Sequence, residues 1–68
     1  MRQIIIYPGE DKMWVAECPS LHGCISQGKN KEEAIKNIRT AIDVYEEALR
    51  VDRIPVPKER FELLTAMV

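Results

Sequence analysis

Residues 30 to 51 carry one apolar stripe, and that stripe limits the folds open to the chain. Ile35, Ile38, Ile42, Tyr45 and Leu49 recur at spacings of three and four, with Ala34, Ala41 and Ala48 beside them. This is the repeat of one face of an α-helix. Asn30 stands at the N-cap position, and Glu33, three places on, can reach back as a capping-box carboxylate. Glu32 and Glu33 also place negative charge in the first turn, where the helix dipole favours it. Lys31, Lys36, Asn37, Arg39, Asp43, Glu46, Glu47 and Arg50 cover much of the remaining surface. A helix that is apolar on one side needs something to lie on. In a chain of 68 residues the flanking segments have to provide it.

The preceding segment reads as a meander of three strands. Arg2 to Tyr7 is rich in β-branched and aromatic residues, which fit a pleated strand better than a helix. Pro8-Gly9-Glu10-Asp11 follows as a turn, with Pro fixing φ and Gly tolerating positive φ. Lys12 to Cys18 forms a second strand, and the short loop makes the pair a hairpin. Pro19-Ser20-Leu21-His22-Gly23 turns the chain again, and Cys24 to Gln27 is a third strand ended by Gly28. Beyond the helix, Pro55 and Pro57 forbid helix and favour an extended crossing. Arg60 to Val68 reads by period as either a short helix or a buried strand. The strand is preferred because the segment is short and its entry extended. The expected architecture is a two-layer α+β domain, β-β-β-α-β, with one long helix on an antiparallel sheet.

The faces of these strands carry the functional information. Side chains alternate with period two, so Ile4 and Ile6 share one face while Ile5 and Tyr7 share the other. Met13 and Val15 likewise oppose Trp14, Ala16 and Cys18. Both strands are apolar on both sides, and one helix covers only one side. A bare second face would be an apolar patch of a size that monomers usually avoid. Self-association or a partner protein is the preferred remedy, and the tail folding back is the alternative. Ile5, Tyr7, Phe61 and Leu63 are the candidate oligomer-interface residues, in a dimer or tetramer. Small size points the same way, since a chain this short buries only about 60% of its unfolded surface.

Composition narrows the function classes. At 46% hydrophobic and 31% charged residues the chain is an ordinary globular domain. Its formal net charge of -1 lacks the basic excess of a nucleic-acid binder, so direct DNA binding is not expected. There is no signal-peptide pattern and no apolar run long enough to span a bilayer, which points to a cytoplasmic chain. Cys18 and Cys24 are then expected as free thiols. With His22 they make a C-x3-H-x-C group, but a structural zinc normally takes four ligands at other spacings. The preferred reading is a turn with two half-buried thiols and a surface imidazole, and neither metal nor cofactor is expected. An activated thiol would need a base, an orienting group and oxyanion donors, none of which the sequence supplies. Trp14 fits a core or interface anchor better than a base-stacking platform. Arg50, Arg53, Lys58 and Arg60 form a modest basic cluster, read as solvated surface or as a contact for RNA or an acidic partner.

The run from Met13 to Gly28, followed by Lys31-Glu32-Glu33-Ala34-Ile35-Lys36-Asn37-Ile38-Arg39-Thr40-Ala41-Ile42 and Pro55-Val56-Pro57, resembles the HicB-type antitoxins. The resemblance spans about Arg2 to Pro57. It implies a partial RNase H-like fold that binds and blocks a small HicA-type mRNA interferase, whose catalytic histidine belongs to the toxin. A working RNase H site needs metal-binding carboxylates on its strands, and the first strand here centres on Ile4-Ile5-Ile6. No catalytic activity is therefore expected. Many relatives carry a C-terminal DNA-binding domain, whereas this sequence reads as one domain over 1–68. His22 stands where the family usually has proline. Partner contacts are expected from Trp14, His22 and the turn between Cys18 and Cys24. The alternative is a self-associating module without a toxin partner.

Overall fold

The computed structural model describes residues 1–59, 64 and 66–68. Three strands, β1 (Ile5–Pro8), β2 (Trp14–Glu17) and β3 (Ile25–Gly28), are followed by one helix, α1 (Lys31–Val51). The sheet is antiparallel in the order β1-β2-β3. Ile5 pairs with Glu17 and Tyr7 with Val15 across the first hairpin, while Val15 pairs with Gln27 and Glu17 with Ile25 across the second. This is the expected α+β architecture, with the helix laid on one face of the sheet. No helix among the described residues is long and apolar enough to cross a membrane.

The first turn of α1 follows from its sequence. The Asn30 side chain accepts a hydrogen bond from the Glu33 amide at 2.8 Å. Glu33 reaches back to accept from the Lys29 amide at 3.0 Å, one residue earlier than an N-cap amide. The far end closes as a Schellman motif. Ile54 N–H donates to Leu49 O at 2.8 Å and Arg53 N–H to Arg50 O at 3.1 Å. Arg53 takes the left-handed conformation this requires, at φ 57°. Pro55 then prevents any continuation.

The helix sits close on β3 because the residues between them are small. A Cβ on Gly28 would lie 2.5 Å from the Ala34 nitrogen and 2.7 Å from the Glu33 carbonyl carbon. Asn37 adds a bond from its side-chain amide to Gln27 O at 2.8 Å. The fully buried core is Ala16, Cys18, Leu21, Cys24, Ala34 and Ile38, with Ile4, Ile6, Trp14, Ala41, Ile42 and Tyr45 packed around it. The cysteines are free and more deeply buried than the half-buried thiols expected from the sequence.

Two sequence expectations are corrected. Gly9 does not use positive φ; Asp11 and Lys12 do, at 55° and 62°, within the short turn Glu10–Lys12. Gly9 is required instead for space, since a Cβ there would meet Val15 Cγ2 at 2.7 Å. Ala48, assigned to the apolar stripe, is exposed. The expected terminal strand over Arg60 to Val68 falls largely outside the described residues, as do Phe61 and Leu63; Leu64 and Ala66 to Val68 are exposed.

Two substitutions test this account by chemical denaturation. Gly28→Ala should lower stability by about 3 kcal/mol, because the helix backbone cannot yield to a new methyl group. Arg53→Gly should raise it by about 0.5–1 kcal/mol by relieving the left-handed arginine.

Candidate interaction surface

Once α1 covers one side of the sheet, the opposite side is left open among the described residues. Register sorts its residues into two cross-strand rows, Ile5-Glu17-Ile25 and Tyr7-Val15-Gln27. Tyr7 and Ile25 are 41% and 53% exposed. The face is therefore an apolar surface interrupted by one carboxylate and one amide. Ile5 and Tyr7 stand on it as the alternation predicts. Ile25 was missed, although it alternates with Cys24 and Ser26 and so could have been placed.

The second open feature is the turn between β2 and β3. Three backbone bonds fold it: Cys18 N–H to Cys24 O at 3.0 Å, Leu21 N–H to Cys18 O at 3.1 Å and Cys24 N–H to Leu21 O at 3.1 Å. Gly23 supplies the one left-handed glycine, at φ 75°. Leu21 points into the core at 1% exposure, which leaves His22 and Gly23 outermost. Cys18 and Cys24 are 1% and 4% exposed and underlie the turn without forming its outer surface. Burial, reinforced by neighbouring Cys18, pushes the Cys24 thiol above its ordinary pKa.

Trp14 is not brought to this turn. It lies at the opposite end of β2, about 13 Å from Cys18 along the strand. Its half-buried ring is on the helix side, with Lys31 Nζ 4.8 Å from the centroid. The basic residues likewise have separate surroundings. Arg50 pairs with Glu47 at 3.4 Å, Arg53 caps the helix, and Lys58 lines a small cleft with Pro19, Ser20 and Pro57. Arg60 lies outside the described residues. Among the described residues no group of three or more His, Cys, Asp or Glu side chains is placed to hold a metal ion.

A polar clamp, absent from the sequence reading, ties the post-helix segment across the turn. Arg2 donates to Ser20 Oγ at 3.0 Å, Glu46 Oε2 at 3.1 Å, Pro57 O at 2.7 Å and Glu59 Oε1 at 3.5 Å. Ser20 donates to Glu59 Oε1 at 2.6 Å, and the Gln3 amide to Glu59 Oε2 at 2.7 Å. The segment Pro57–Glu59 is thus a strap across the base of the turn. The Ser20 hydroxyl, then the Gln3 amide, holds the Glu59 carboxyl below the usual carboxylate range.

The model of the HicB_like antitoxin of bacterial toxin-antitoxin systems matches residues 3–65. The chain belongs to this family. Such membership implies a role in a toxin–antitoxin system. Relatives of this HicB-like chain include a UPF0150 protein of Thermoplasma acidophilum, 40% identical over 62 residues that make up 91% of this chain and 90% of the relative. A UPF0150 protein of Synechocystis is 57% identical over 44 residues, 65% of this chain and 56% of that protein, so the match spans little more than half of it. A second Synechocystis UPF0150 protein is 32% identical over 60 residues, 88% of this chain and 82% of its own. No solved structure matches.

The strap carries a pH prediction. A carboxyl held low in the folded chain contributes fully above its ordinary value, and that contribution is lost as pH falls through the depressed one. The Gln3 amide resonance should therefore stay in its bonded position from neutral pH down into the ordinary glutamate range. It should shift only on further acidification. In Glu59→Gln that acid step should disappear.

Proposed function

We propose that this HicB-like chain is a non-catalytic antitoxin that binds a small HicA-type mRNA interferase and masks its active site. The observation that carries binding to other chains is the open sheet face, an apolar surface of a kind that solvent alone leaves unfavourable. Family membership supports the class of partner. Ile5 and Tyr7, with Phe61 and Leu63 of the tail, form the self-association surface of a homodimer or tetramer. Trp14 and the turn carrying His22 meet the toxin, with Cys18 and Cys24 shaping that turn from below. Masking requires bulk and complementary surface instead of chemistry, and a small rigid sheet can supply both.

The test is co-expression of the tagged chain with the product of the gene encoded next to its own. A stoichiometric complex by light scattering, together with suppression of the partner's RNA cleavage, is the expected result. His22→Asp should weaken that complex by about tenfold. Ile25→Lys should dissociate the oligomer of the chain alone without unfolding it. A clean oligomer that retains no partner would instead identify a self-associating module.

A further inference from the structure

In the function proposed above Cys18 and Cys24 only shape the turn from below, and their thiol chemistry is not used. β2 and β3 pair as Ala16 with Ser26 and Glu17 with Ile25, and the same register carried one residue past the strands sets Cys18 opposite Cys24. The bond from Cys18 N–H to Cys24 O at 3.0 Å continues the ladder to that step. Directly opposed residues project to the same side of the sheet, and both thiols enter the same core cluster. Directly opposed residues of an antiparallel pair have Cα atoms about 4.5–5.5 Å apart. Disulfides bridge Cα separations of about 4.4–6.8 Å.

We propose that Cys18 and Cys24 are a dithiol modification site, oxidised by a low-molecular-weight disulfide to a cross-strand bond at the base of the Pro19–Gly23 turn. One cysteine thiolate attacks a sulfur of the small disulfide, forming a mixed disulfide and expelling one small thiolate. The second cysteine thiolate then attacks the protein sulfur of that mixed disulfide and expels the other. The protein gives up two electrons, and its two thiol protons end on the two small thiols released. The small disulfide is the species reduced.

Access to this site runs through the strap. Cys18 Sγ lies 3.5 Å from Ser20 Oγ, and Ser20 in turn donates to Glu59. Leu21 closes the turn over the core. A small disulfide reaches either sulfur only when the turn lifts, and lifting it breaks the Ser20–Glu59 bond. The loop closed by the new bond is short, so it constrains the unfolded chain less than a long loop would. The consequence is local: the bond fixes the turn that presents His22.

The experiment uses the reduced full chain, incubated with oxidised glutathione at mildly alkaline pH and followed by intact mass and peptide mapping. The expected product is a single chain lacking two hydrogens, with the peptides of Cys18 and Cys24 cross-linked. Glu59→Gln should consume thiols about tenfold faster, because a charge-assisted bond holding the turn is lost. A glutathione adduct that persists on either cysteine, a dimer linked between chains, or thiols that survive while the denatured chain oxidises would each overturn the site. An unchanged rate in Glu59→Gln would overturn the strap's control of it.

Discussion

A three-stranded sheet has two faces, and α1 can cover only one of them. Everything else in the molecule is arranged around how closely that cover fits. The approach at Gly28 and Ala34 leaves no room for a methyl group. Ala16 is fully buried between the layers. Contact this close excludes water with little side-chain bulk. Its cost is a thin core, in which Leu21 and Ile38 are the only large aliphatic side chains fully buried among the described residues. Buried apolar area scales with such bulk, so the domain has little stability in reserve. The open face is where further burial is available.

The polar clamp adds a second hold, joining the chain's N-terminus and the Pro57–Glu59 segment to Glu46 of α1. Arg2 is only 10% exposed, with Glu46 and Glu59 at 21% and 12%. A guanidinium so enclosed is tolerable because its donors are shared among two carboxylates, a hydroxyl and a carbonyl. The same bonds fasten Pro57–Glu59 across the chain's N-terminus. The turn between β2 and β3 is therefore held from below by Leu21 and from the side by Ser20. Its outer edge, at His22, is free.

What could be read from the sequence depended on the range of the interaction. The helix was fully legible, because period, N-cap and proline stop all act within a few residues. The alternation that put Ile5 and Tyr7 opposite Ile4 and Ile6 is equally local, and it predicted an open apolar face. Gly9 was located correctly but for the wrong reason, since its need for space comes from Val15 across the hairpin. Ala48 carries helical spacing yet lies beyond the sheet's reach. The contact between Arg2 and Glu59 spans 57 positions, and no local pattern announces it. The burial of both thiols depended on register, which is settled by where each turn closes.

Glu17 limits what can cover the open face. It stands between Ile5 and Ile25 in one row, with Val15 and Tyr7 in the next. Covering those apolar side chains also withdraws the carboxylate from water, which is costly unless a donor or cation meets it. A purely greasy surface would therefore be a poor match. A second copy placed with its Glu17 opposite this one would set like charges together. The surface that fits is apolar at its edges with a basic or amide group near its centre. One acidic residue thus gives an otherwise unspecific patch a register of its own.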